Sequence, residues 1–380
     1  MISKFRQIIA RHAVNYRGWR TDRKIVVIES DDWGSSNMPS ADVYRKLVQK
    51  GIRVDQCPYT SFDALASEQD LEDLFSLLTE FKDLNNAHPA ITANVVMMNP
   101  DFGKIRNYGF EKYYGEPFTE TLKRYPLHDR SYTLWMQGAS EGLFYPQYHG
   151  REHLNIEGWM KSLKDSESID RLIFEEEMYW PGSAEENKEG VSQRAAFDAE
   201  NLSEIELHHE IIRDGLEQFE NLFGYKSKSF IAPNFVYHPS LNSTLVENGV
   251  QHLQGMKYQK LPLAGNKKRK MVRRFQGQKN KLGQFNLIRN CVFEPSQYPE
   301  SFDTIDHCLK GVENAFFWKK PAVISAHRLN FIGYINPENK ERNLKLLRKL
   351  IQNLLKKWPD VEFMTSVELG DLMKSSIEKN

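Results

Sequence analysis

Two adjacent carboxylates, Asp31 and Asp32, end the stretch IVVIESDD, directly after a β-branched apolar run. Further along, YHGREHLN sets His149 and His153 four residues apart, and VISAHRLNF brings His327 and Arg328 in after another apolar run. On a helical turn the four-residue spacing puts both imidazoles on one face, where they can converge on one metal ion. Two histidines are an incomplete site. A carboxylate from elsewhere would supply a third ligand and leave positions open for water and substrate, as a hydrolytic zinc site requires. The paired aspartates suit that need, because a metal hydrolase wants one anionic ligand and one general base. An imidazolium at position 327 could then protonate a leaving amine.

Each of these residues also has a plainer reading. SDDWGSS would serve as a helix-capping turn. With 11 histidines in the chain, roughly 0.3 pairs at this spacing arise by chance. A lone histidine after a buried run is more often a hydrogen-bonded core residue than a catalyst. Their shared position favours the chemical reading. Asp31 and Asp32 follow KIVVIE at 24–29, Pro233 and Asn234 follow SKSFIA at 227–232, and His327 follows PAVISA at 321–326. All lie at C-terminal strand ends, the edge that carries the active site of parallel α/β sheets and barrels.

The elements that would hold them alternate along the chain. Further apolar runs, AITANVVMM at 90–98 and VEFMT at 361–365, are separated from the others by helical periodicity at 68–81, 204–223 and 342–358. Strands alternating with helices predict a mainly parallel sheet, doubly wound or closed as a barrel. Ser203 with Glu206 reads as a capping box for the 204–223 helix, whose His208 and His209 are expected on its solvent side or flank. No glycine-rich phosphate loop follows any strand, which argues against nucleotide chemistry. Two stretches read as insertions, about 100–147 and about 256–284; the second holds the basic run NKKRKMVRRFQGQKNK, taken as a solvated loop, with contact to an anionic group on a glycan or lipid carrier as the sharper alternative. The whole chain, 1–380, is read as a single barrel domain preceded by a basic extension over 1–23.

Bulk composition narrows the partners. Lys plus Arg equals Asp plus Glu at 51 each, so no overall field draws the chain to nucleic acid or an anionic membrane. Three cysteines without a CxxC exclude a disulfide framework or thiolate zinc site. The N-terminus is basic but lacks the continuous apolar core of a secretory signal, and no stretch reaches membrane-span length. The protein is therefore expected to be soluble and cytoplasmic, without stable membrane insertion. Lys4, Arg6 and Arg11 could lay the extension on a membrane surface, but a helix packed on its own domain is the favoured reading.

In its ordered motifs the chain resembles the polysaccharide deacetylase family, the NodB-homology carbohydrate esterases, in a divergent branch linked to bacterial surface polysaccharides. The counterparts are Asp31-Asp32, HGREH, FIAPNF and VISAHRLNF. The resemblance implies a distorted (β/α) barrel of seven or eight strands. It implies Asp32, His149 and His153 as ligands of one divalent metal, usually zinc, with Asp31 as general base and His327 as general acid. The implied reaction is hydrolysis of an N-acetyl, less often O-acetyl, group on a saccharide.

Three departures stand out. Trp33 precedes Gly34 where the family has a small residue at once; it is expected to form a wall of the sugar pocket, with Asn234 and Arg328 as further substrate contacts. The family arginine that contacts the base is Ile231 here, leaving Arg328 or Arg151 to supply that charge, or the base to be tuned some other way. And 116 residues separate Asp32 from His149. The first two departures also admit a saccharide-binding barrel that has lost turnover. A third reading keeps the metal but cleaves a non-sugar amide or a glycosidic bond; the histidine pair argues against the latter.

Overall fold

The computed structural model describes residue 9 and residues 11–182, 191–266 and 268–379. Lys4, Arg6 and Lys267 of the basic stretches lie outside these.

Nine strands form one sheet: β1 (Lys24–Trp33), β2 (Ile91–Val96), β3 (Phe144–Gly150), β4 (Ser229–Phe230), β5 (His252–Gly255), β6 (Phe285–Ile288), β7 (Cys291–Val292), β8 (Ala322–His327) and β9 (Val361–Phe363). Every pairing within it is parallel. The spatial order runs β6-β5-β4-β3-β2-β1-β8-β7, with β9 on the N-terminal half of β1. The edge strands β6 and β7 are neighbours in sequence, separated only by Arg289 and Asn290. Those two residues span the seam: the Arg289 N–H donates to Gly255 O at 2.9 Å, and the Asn290 N–H to Val323 O at 3.1 Å. The sheet is thus a curled, singly wound (β/α) barrel, as the alternation predicts.

Helices Glu68–Thr79, Ser131–Ser140, Leu202–Phe223, Thr304–Phe317 and Pro337–Lys357 cover its outside. Between β5 and β6 a hairpin, Tyr258–Lys260 with Met271–Arg273, stands where a crossover helix would be. The 100–147 stretch carries, besides short helices, the covering helix Ser131–Ser140 and the start of β3.

Strand alternation sorts the side chains into two environments. Val26 and Ile28 of β1, Ile91 and Ala93 of β2, and Ala322 and Ile324 of β8 join the large cluster beneath the helices. Ile25, Val27, Phe285, Leu287 and Val323 form a separate cluster, plugged by Leu369 and Met373 of the C-terminal helix Ser366–Glu378. Continuing up that inner face, the next residues are polar: Glu29 and Asp31 on β1, Ser325 and His327 on β8. The barrel is apolar at its closed end and polar at the strand C-termini.

At the top of β1 the alternation breaks. Adjacent strand residues would point to opposite faces, but Asp32 is left-handed, with φ 72°, and the β1–β2 register shifts between Ser30 and Trp33. This bulge lets both aspartates face the cleft. Trp33 then returns to the outer face, which corrects its expected place in the pocket. It is fully buried, edge-on to Phe144 at 4.7 Å and Trp135 at 5.9 Å, with its indole N–H on Ser30 Oγ at 2.9 Å. Gly34 completes the turn with φ 85°, where a Cβ would stand 2.4 Å from Val96 O.

Two helix-level expectations are also corrected. The cap of Leu202–Phe223 is Asn201, whose side chain accepts from the Glu204 N–H, because the helix begins two residues before the apparent box. His208 is buried rather than on the solvent side, its ring edge-on to Phe197 at 5.7 Å. Burial pushes it down to about 4 from the ordinary 6.5.

Truncating Trp33 to Ala should cost about 3–5 kcal/mol of stability, as expected for a large aromatic lost from a core, read as a lower urea midpoint. His208 is neutral when folded but gains a proton near 6.5 when unfolded, so its share of stability is complete above 6.5 and falls as pH drops toward about 4. The difference in urea midpoint between about pH 7 and pH 5 should therefore be smaller in His208→Gln than in the parent protein.

Candidate metal and catalytic site

The cleft at the strand C-termini encloses about 450 Å³ and is lined by Asp31, Asp32, His149, His153 and His327, with Asn234 at its margin. Asp32, His149 and His153 offer ligand atoms within 4.8 Å of one another, all buried. Asp32 Oδ1 lies 3.4 Å from His149 Nε2 and 3.1 Å from His153 Nε2. The two histidines do not share a helical turn: His149 ends β3, and His153 returns on the loop after it. The pair does converge beside Asp32, but from a strand and a loop instead of the expected helical turn.

The donor set fits a divalent ion. His149 Nδ1 stands 2.9 Å from Ile231 O, and a carbonyl can only accept, so this nitrogen carries the proton. Its Nε2 is buried without a hydrogen-bond partner and faces Asp32. Burial pushes His153 down to about 4, leaving it neutral. Burial alone would raise Asp32, but its two histidine neighbours and Arg194 hold it well below the usual carboxylate range. A carboxylate and two imidazoles are a hydrolytic zinc site's ligand types.

Asp31 is held differently. Arg289 grips it in a fork, Nη1 to Oδ2 and Nη2 to Oδ1, both at 2.6 Å, and its Nε donates to Glu29 Oε2 at 2.6 Å. Asn94 adds an N–H to Asp31 Oδ1 at 2.7 Å. Burial would raise the Asp31 carboxyl, yet the Arg289 charge and hydrogen bonds outweigh it and hold the group at about 2. The cation that contacts this carboxylate is therefore Arg289, at the barrel seam. Neither Arg328 nor Arg151 supplies it. Arg328 is fully buried in a two-bond pair with Asp63, 2.9 and 3.0 Å, and is absent from the cleft lining, which also corrects its expected role as a substrate contact. Arg151 pairs with Glu152 and Asp214.

His327, still 18% exposed, has Nδ1 on Glu294 Oε1 at 2.5 Å and Nε2 3.9 Å from Asp31 Oδ2. Burial works against its charged form, but Glu294 prevails and lifts the ring to about 9. Asn234 and Phe235 both adopt positive φ, 54° and 60°. For a phenylalanine this is a strained backbone, and it brings the Phe235 ring to 5.9 Å from the Arg289 guanidinium.

Sequence reasoning passed over Arg289, Glu294 and Arg194. Arg289 did carry the strand-end signal, since it follows FNLI directly, but that run is only four residues long. Arg194 sits on a loop and gave none.

No family model and no curated protein matches the sequence. Solved structures with a similar fold include polysaccharide deacetylases and family 4 esterases. A Mycobacterium smegmatis protein described as a polysaccharide deacetylase is 12% identical over 95% of this chain and 94% of its own, with a TM-score of 0.47. A family 4 acetyl xylan esterase from Clostridium thermocellum, solved with a cobalt ion, is 12% identical over 92% and 91%, TM-score 0.35. A 4-alpha-glucanotransferase from Thermococcus litoralis is 11% identical over 91% of this chain and 40% of its own, TM-score 0.44. These likenesses concern the course of the chain.

Replacing Arg289 with Met would strand Glu29 and Asp31 in the barrel and should cost about 3–5 kcal/mol, measured by urea unfolding. Adding Glu29→Gln should recover part of that loss, because one uncompensated carboxyl is removed with its partner.

Proposed function

We propose that the protein is a metal-dependent hydrolase that removes an acetyl group, N-acetyl foremost, from a saccharide of a surface polysaccharide or its precursor. The observation that carries this is the division of two adjacent carboxylates: Asp32 faces two buried imidazoles, while Asp31 is gripped by Arg289 beside His327.

Asp32, His149 and His153 would hold the ion, which when bound polarises the acyl carbonyl and makes water acidic enough for a weak base to deprotonate. The other duties fall to this chain's side chains. Asp31, kept ionised and oriented by Arg289 and Asn94, takes a proton from the water as its oxygen attacks the acyl carbon. His327, with Nδ1 fixed by Glu294, presents Nε2–H to the departing nitrogen. The carbon–nitrogen bond breaks, nitrogen gains that proton, and acetate and an amine are the products. The rival reading of a saccharide-binding barrel without turnover rested on Ile231 and Trp33. Against it, Arg289 supplies Asp31 with a cation, and Trp33 lies in the core.

Metal analysis coupled to an acetate-release screen over N- and O-acetylated saccharides tests this. The protein should take up one divalent ion per chain, and His149→Ala or His153→Ala should abolish uptake. Asp31→Asn should keep the ion and lose about 10²–10⁴-fold in acetate release. Protein that takes up no ion when zinc is offered at neutral pH would sink the reading.

A further inference from the structure

We propose that the cleft takes a saccharide bearing an anionic group, a carboxylate or a phosphate, close to its acetyl group, and that Arg194 and Lys260 hold that anion. The substrate's reaction rests on the function proposed above; the charge recognition rests on separate residues.

Most charges around the cleft answer one another. Arg289 serves Asp31 and Glu29, Glu294 serves His327, and Arg269 is held by Asp198 at 2.9 and 2.7 Å. Arg194 and Lys260 are different. Arg194 is only 6% exposed, yet among the described residues its buried Nε–H has no acceptor and its one anionic contact, Asp32 Oδ2, is long at 3.4 Å. The guanidinium is clasped between the rings of Tyr59 and Trp180, 5.0 and 4.7 Å from their centroids, which fixes it at the cleft wall. A buried guanidinium with an unmet donor is costly unless a ligand supplies the acceptor. An ion on Asp32 would draw that carboxylate's charge away and leave Arg194 still less neutralised.

Lys260 brings a second cation from another element. It ends the first strand of the hairpin that replaces the β5–β6 helix, and it lines the same cleft. Its backbone is anchored there by a bridge to Val236 and by the Tyr237 N–H on its carbonyl at 3.4 Å. Its ammonium makes no ion pair among the described residues. The 256–284 stretch, expected as a solvated loop, thus contributes Lys260 and Arg269 to the cleft lining. Planar donors on Arg194 and a mobile point charge on Lys260 suit a carboxylate or phosphate.

Calorimetric binding of three probes to the zinc-loaded Asp31→Asn protein tests this: N-acetylglucosamine, its 1-phosphate, and N-acetylmuramic acid. At least one charged probe should bind about ten-fold tighter than the neutral sugar, with the advantage shrinking as salt is raised. Preference for the phosphate assigns a phosphorylated saccharide, and preference for the acid sugar a carboxylate. Adding Lys260→Ala, an exposed change that leaves the core intact, should cut the charged probe's affinity about five-fold and leave the neutral sugar unaffected. Adding Arg194→Gln should cut it about thirty-fold, with Arg194→Lys recovering part. Equal affinity for neutral and charged probes, or no binding of either charged probe, overturns the proposal. Acetate release by the parent protein from neutral sugars, with no charge preference, would leave the hydrolase reading standing and this one fallen; charge preference with no acetate released from any sugar would do the reverse.

Discussion

A guanidinium buried in the barrel interior controls how the rest of the site is arranged. Arg289 bonds Glu29 and Asp31, two carboxylates on one face of β1, from the short segment that joins the two edges of the sheet. Unpaired, either carboxylate would be expensive at that depth; gripped in a fork, Asp31 stays ionised and aimed at the cleft. The same residue donates its backbone N–H to β5 and, through Nη1, reaches Ser325 on β8 at 3.3 Å. Barrel closure and the orientation of Asp31 are therefore one interaction. A shift at the seam would move Asp31.

The interaction spreads through a polar layer to which most strands contribute. Asn94 on β2 bonds both Asp31 and Gln254 on β5; Gln254 donates to Ser229 on β4, and Ser229 to Gln147 on β3. The links run at 2.7–3.0 Å; three join adjacent strands, and the Asn94–Gln254 bond crosses the barrel interior from β2 to β5. Satisfied in this way, a buried polar layer orients its members more sharply than an apolar one could. Below it the apolar plug supplies the burial that stabilises the fold. Above it stand the ionisable groups.

How much of this the sequence discloses depends on how local each feature is. The strands bearing Asp31 and His327 are legible because apolar runs end on polar residues at one sheet edge; the strand bearing His149, FYPQYHG, is not, because it has no β-branched apolar run and its histidine spacing reads as a helical turn. The bulge at Asp32 is not, since nothing in SDDWG marks the left-handed residue; counting by twos sends Trp33 to the cleft, and one extra residue sends it to the core. Arg289 is hidden by distance along the chain: it stands 258 residues from Asp31, and only barrel closure brings the two together. Arg328 misleads for the opposite reason. It sits beside His327, and the turn after β8 carries it away to Asp63.

The C-terminal helix shows why stability and chemistry cannot be separated here. Its first residue, Ser366, donates Oγ–H to Glu29 Oε1 at 2.7 Å and its N–H to Thr92 Oγ1 at 2.9 Å, while Leu369 and Met373 plug the barrel. The positive end of that helix therefore lies against Glu29, whose carboxyl is nonetheless raised by burial. Glu29 shares Arg289 with Asp31, so the helix helps decide how completely the guanidinium's charge is left to Asp31. Loosening the C-terminal helix would weaken the hold on Glu29 first and the orientation of Asp31 next, long before any strand parted. Glu29, two residues before Asp31 on the same face of β1 and absent from the cleft lining, thus bears on a carboxylate that lines the cleft.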